Sequence, residues 1–191
     1  MRKSGKIILA LGCLLMAGGL VLLLAAGLQN RRADRQNAAV LAALETVLPD
    51  RREGLWEPDR TTEMPALELL GRDYIALLEI PAYGLRLPVR SAWDSREAEA
   101  RPCRFSGTAY NGSLVIGGYD RAGQFDFFDR IMEGTEIRVT DMTGAVFAYR
   151  VSRVDRSDSA DAGVLAGRAD LTLFVRDAQL LQYILLRCEG K

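Results

Sequence analysis

A mostly β fold is what this sequence predicts: a closed β-barrel with short helices, preceded by an N-terminal transmembrane helix. Three observations carry the prediction. Residues Ile7 to Leu28 contain no charged side chain, and as a helix they would be about 33 Å long, enough to cross a hydrocarbon core of roughly 30 Å. From about Gly71 the chain breaks into short apolar runs separated by turn residues, the pattern of strands. Only small helical stretches interrupt these runs, and many short strands with frequent turns close into a barrel. The expected organisation is a tail and anchor over residues 1–29, a helical and Pro-containing linker over 30–70, and the barrel over 71–191.

The anchor has one competitor. Arg2, Lys3 and Lys6 form a basic start, and Ala25-Ala26-Gly27 offers small residues for cleavage of a signal peptide. The apolar run exceeds the usual ~7–15 residues of a signal core, which favours an uncleaved anchor. Orientation is nearly a tie by charge, because Arg31, Arg32 and Arg35 balance the basic start. The short N-terminal tail favours an N-terminus inside and a globular part outside the cell membrane.

Each later element has its own signal. Ala33 to Leu48 carries Val40, Leu41, Leu44, Val47 and Leu48 at helical spacing, and Pro49 stops it. Asp50 to Pro65 is charged and turn-rich, a linker or surface strap. Tyr74 to Ile80 is a strand closed by Pro81 and a Tyr83-Gly84 turn, and Leu85 to Val89 is a second. Ser95 to Ala100 reads as a helical turn and Ser113 to Gly117 as a buried strand. Phe125 to Met132 reads as a short helix with Phe127, Phe128 and Ile131 facing inward. Glu136 to Thr140 and Val146 to Val154 flank the hairpin turn Asp141-Met142-Thr143-Gly144. Leu171 to Val175 and Tyr183 to Arg187 are the last two strands.

Composition narrows the function. Lys plus Arg equals Asp plus Glu at 25 each, so nothing argues for a nucleic-acid partner. Histidine is absent and no CxxC pair exists, which argues against a structural zinc site, and no cofactor is implied. Cys13 lies inside the apolar span. Cys103, before a loop-like segment, and Cys188 leave a single disulfide open, since spacing cannot show that they meet.

Several segments, in order, resemble the sortase family. Tyr74 to Pro81 resembles its opening strand, followed by Gly84 to Pro88. Pro102 to Tyr110 is similar to a segment of class B-like and related sortases, and Leu114-Val115-Ile116-Gly117-Gly118 to the strand leading into the catalytic histidine. Gly134-Thr135-Glu136-Ile137 and Asp141 to Gly144 resemble the central hairpin. Leu171-Thr172-Leu173-Phe174-Val175-Arg176 sits where the family carries Thr-Leu-x-Thr-Cys, and Leu186-Arg187-Cys188-Glu189 closes the match.

Sortases cut a sorting-signal peptide with a cysteine, a histidine and an arginine, then pass the acyl group to an amine. Carried over residue by residue, the histidine falls on Tyr119, the cysteine on Arg176 and the arginine on Tyr183. All three are lost, which implies a sortase-like pseudoenzyme with a binding groove at Tyr119, Asp120, Arg176 and Tyr183. The implied partner is a peptide or surface protein with a sorting-signal-like segment, an active sortase or a pilus component. The alternatives are a cysteine transpeptidase working through other residues and a structural spacer. An enzyme would need a base and a nucleophile from Asp, Glu, Tyr, Cys103 or Cys188; five residues separate Cys188 from Tyr183, so alternation turns those two to opposite faces. Asp126 and Asp129 near Tyr119, with Arg121, read as a solvated loop face. Asp155, Asp158, Asp161 and Asp170 match no EF-hand spacing, and Tyr110 joins Tyr119 and Tyr183 as a hydroxyl donor.

Overall fold

In the computed structural model the described residues are 12–21, 37–49, 52–53, 59–159, 161–176 and 182–191. Contacts divide the chain into two units, Met1–Gln36 and Asn37–Lys191. Of the apolar run Ile7 to Leu28, residues 12–21 are described; they are helical and exposed, and the rest lies outside the described residues. Among the described residues no helix is long and apolar enough to cross a membrane.

The second unit is a ring of strands. In chain order these are β1 (Arg52–Glu53), β2 (Leu67–Leu69), β3 (Arg72–Ile80), β4 (Leu85–Arg90) and β5 (Cys103–Ser106). They continue with β6 (Leu114–Tyr119), β7 (Glu136–Asp141), β8 (Ala145–Ser157), β9 (Leu171–Arg176) and β10 (Tyr183–Gly190). Following the pairings from β8 through β10, β9, β6, β5, β4 and β3 leads to β7, which pairs back onto β8. Eight strands therefore close the barrel, while β2 adds to β3 and β1 to β8. Closure removes the unpaired edges that an open sheet would leave.

The core fills the barrel. Ile75, Leu78, Ile80, Val89, Ile116, Ile137, Val139, Leu173 and Leu186 are all essentially buried in one cluster. Strands β6 and β9 run parallel and are buried on both faces, with Tyr119 and Arg176 at their ends as the exceptions. That double burial explains why they read in the sequence as continuous apolar runs rather than alternating ones. The β7–β8 hairpin turns where expected: Asp141 Oδ1 accepts from the amides of Thr143 (2.8 Å) and Ala145 (2.9 Å), and Gly144 takes a positive φ of 84°.

Three elements differ from the sequence reading. Phe125 to Met132 is a series of turns with one 3-10 turn, Phe128–Arg130, not a helix. Phe127, Phe128 and Ile131 are nevertheless buried. Their apolar spacing reports burial, which a turn can satisfy as well as a helix. The segment after Cys103 is strand β5 rather than a loop, because β4 and β6 flank it on both sides. Finally, much of the expected linker belongs to the globular unit. The helix over 37–47 packs Val40 and Leu44 onto Tyr74 of β3, and β2 joins the sheet. Residues 33–36 of that expected helix lie outside the described residues.

Candidate functional site

Strands β6, β9 and β10 sort their side chains onto two faces. Leu114 and Ile116, then Leu171, Leu173 and Val175, then Ile184, Leu186 and Cys188 join the barrel core. The alternate residues Val115, Phe174 and Leu185 form a separate outer cluster with Leu165, flanked by half-buried Trp93, Phe105 and Tyr183. On this outer face Tyr119 pairs with Arg176 across β6 and β9, and Arg176 pairs with Tyr183 across β9 and β10. The three sequence-derived positions thus occupy one row over three adjacent strands, at spacings of roughly 5 Å. Asp120 lies just past the row in an exposed bend.

Arg176 is exposed, and Tyr119 and Tyr183 are half-buried. Among the described residues neither the guanidinium nor either phenol hydroxyl has a hydrogen-bonded partner. Below the row lies an aromatic wall. Phe174 packs at 5.4 Å from Trp93, 5.5 Å from Phe105 and 6.2 Å from Tyr183, ring centre to ring centre. Beyond Trp93 and Phe105 a cavity of about 270 Å³ is lined by Glu63, Ser91, Arg104 and Ser106.

Four residues outside the sequence-derived row build this face. Gly117 makes room for it: a Cβ there would lie 2.2 Å from Phe174 Cζ and 2.6 Å from Trp93 Cζ3. Gln124, almost fully buried, accepts from the Tyr119 amide at 2.7 Å and donates to the Ala98 carbonyl at 3.0 Å. Leu165, in a short helix over Ala162–Ala166, is buried against the outer cluster. Arg187 ties that helix down. Its Nη1 donates to the Leu165 carbonyl (2.7 Å) and to Thr172 Oγ1 (3.0 Å), its Nη2 to the Val164 carbonyl, and its Nε to Asp155 Oδ2 (3.3 Å). The Gly117-Gly118 pair was visible as a signal. The tertiary partners of Gln124, Leu165 and Arg187 were not.

The remaining candidates are placed apart from the row or already engaged. Tyr110 donates its hydroxyl to buried Asp141 at 2.6 Å, so it is not an available donor. Asp155 meets Arg153 and Arg187, Asp158 accepts from Gln182, and Asp170 accepts from the Gly190 amide. Among the described residues no three Asp, Glu or Cys groups converge as metal ligands do. Asp126 is exposed; the side chain of Asp129 lies outside the described residues.

Cys103 and Cys188 are both free and fully buried, which settles the open disulfide question. Cys188 faces the barrel core while Tyr183 faces the outer cluster, as alternation requires. Burial pushes the Cys103 thiol up to about 11 and the Cys188 thiol up to about 12. At pH 8 both thiols are therefore protonated rather than thiolate, the form that attacks. In a Cys13→Ser background, a thiol-reactive disulfide reagent at pH 8 will therefore leave both cysteines unmodified until urea unfolds the chain. Native-state labelling as fast as in urea would contradict this placement.

The closed eight-stranded barrel, with its few short helices, is a sortase fold. The sortase-domain family model matches residues 78–179. The chain belongs to the sortase family. Sortase A from Corynebacterium diphtheriae aligns with a TM-score of 0.56 at 24% identity, covering 63% of this chain and 61% of that one. A Clostridium perfringens sortase D5 transpeptidase aligns with a TM-score of 0.54 at 22% identity, covering 62% and 79%. Sortase C of Clostridium perfringens, solved with the C-terminal cell wall sorting motif, gives 0.54 at 17%, covering 62% and 71%. At these identities the likeness is one of fold. No curated protein sequence matches the chain.

Proposed function

We propose that this chain is a membrane-anchored, catalytically inert sortase that holds a sorting-signal-like peptide or a cell-surface assembly partner in its outer groove. The single observation behind the reading is the row Tyr119–Arg176–Tyr183: polar ends without a partner among the described residues, beside an aromatic wall, where a sortase would place histidine, cysteine and arginine. An arginine supplies neither a nucleophile nor an acid at neutral pH, while it binds carbonyl and carboxylate oxygens well. The only cysteines of the globular unit are buried and protonated, so the groove retains no attacking group of the family's kind. That a related sortase was solved with a sorting motif supports the choice of ligand class.

The anchor reading draws on the uncharged run Ile7 to Leu28. It is also supported by Leu14, Leu15, Met16, Leu20 and Val21, which stand exposed on the described helical part. Such a surface suits lipid. With the N-terminus inside, the barrel stands on the extracellular side.

Incubating the full chain in detergent with sorting-signal peptides and an amine acceptor tests the inert reading. Chromatography with mass detection will show intact peptide, and the protein mass will carry no acyl adduct. Loss of an attacking group typically removes several kcal/mol of transition-state stabilisation, so turnover should fall to the uncatalysed level. Cleavage that thiol alkylation abolishes would overturn the reading in favour of a transpeptidase using other residues.

A further inference from the structure

Resting on that groove reading, we infer that the row selects a peptide with a free C-terminal carboxylate, held by Arg176 between the Tyr119 and Tyr183 hydroxyls. Three donors with no hydrogen-bonded partner among the described residues stand side by side at the end of the wall. A carboxylate is the complementary group, since it only accepts, carries the opposite charge and offers two oxygens to the guanidinium fork. An internal peptide carbonyl would satisfy one donor and leave the others exposed.

The wall argues for a peptide end rather than a free small anion. Phe174, Trp93 and Phe105 run away from the row on the same face, with Trp93 and Phe105 half-buried and open on one side. They provide apolar contact for the side chains that precede a terminal carboxylate. The ligand class is thus an apolar peptide whose chain ends at Arg176, chemically a product end rather than a continuous substrate.

The probe is a fluorescein-labelled Leu-Ala-Val-Ala-Ala pentapeptide in three forms: free acid, carboxamide, and a carboxamide with glutamate as the last residue. Fluorescence anisotropy with the full chain in detergent reads the affinity of each. The free acid will bind at least tenfold more tightly than either carboxamide. Arg176→Gln will erase that difference without lowering the thermal midpoint, because the side chain is exposed and has no partner among the described residues. Tyr119→Phe and Tyr183→Phe will each shrink it several-fold. Equal binding of acid and plain carboxamide would overturn terminal-carboxylate selection while leaving the groove reading standing. A glutamyl carboxamide that binds like the free acid would replace the terminal carboxylate by a side-chain one and likewise overturn it. Binding of none of the three would sink both.

Discussion

Replacing Arg187 by methionine will lower the thermal midpoint of the globular unit by about 5–15 °C, from a loss of ~2–4 kcal/mol. Methionine keeps much of the apolar stem but removes the donor that the Val164 and Leu165 carbonyls, the Thr172 hydroxyl and the Asp155 carboxylate share, leaving Asp155 its pairing with Arg153. The damage should be local first. Amide exchange across 161–169 will accelerate before that of the barrel strands, because the short helix loses its tie while the ring stays paired. Lysine at this position will recover only part of the loss, since an ammonium cannot span acceptors that the planar fork reaches together. A methionine variant with unchanged exchange over 161–169 would show that Leu165 burial alone holds the segment.

Gly117→Ala should be the second large effect. Its φ is unremarkable, so the cost is steric: the new methyl meets the Phe174 and Trp93 rings at 2.2–2.6 Å. The Phe174 ring cannot retreat freely, because it is buried against Val115, Leu165 and Leu185. Overpacking of this kind costs ~1–3 kcal/mol. In a Trp56→Phe background the emission of Trp93 will shift to the red as the indole tilts into water. An alanine variant with unchanged emission and midpoint would mean that the wall yields cheaply and does not rest on this glycine.

How far the sequence reaches can be judged strand by strand. Leu114–Ile116 and Leu171–Val175 were legible because a strand buried on both faces leaves an uninterrupted apolar run. The hairpin at Asp141–Gly144 was legible because its aspartate and glycine are the residues such a turn demands. The row of Tyr119, Arg176 and Tyr183 was reachable from the family's motif spacing, and strand register then sets the three positions side by side. Strand β5 was not legible. Cys103-Arg104-Phe105-Ser106 has no clear alternation, and its strand character comes from neighbours supplied by β4 and β6. Gln124 and Arg187 read in the sequence as ordinary polar residues. Only the tertiary structure shows that one fastens the Tyr119 backbone and the other fastens the helix over Ala162–Ala166. The aromatic wall drew on Trp93 and Phe105, whose separation from Phe174 in sequence hides their meeting in space.

Fluorescence anisotropy of a labelled sorting-signal peptide panel against the full chain in detergent, wild type beside Arg176→Glu, tests the central claim most directly. The wild type will give a saturable rise without peptide cleavage, and the response will be at least tenfold weaker when the row carries a negative charge. A flat titration across the panel, or an affinity that Arg176→Glu leaves unchanged, would contradict it.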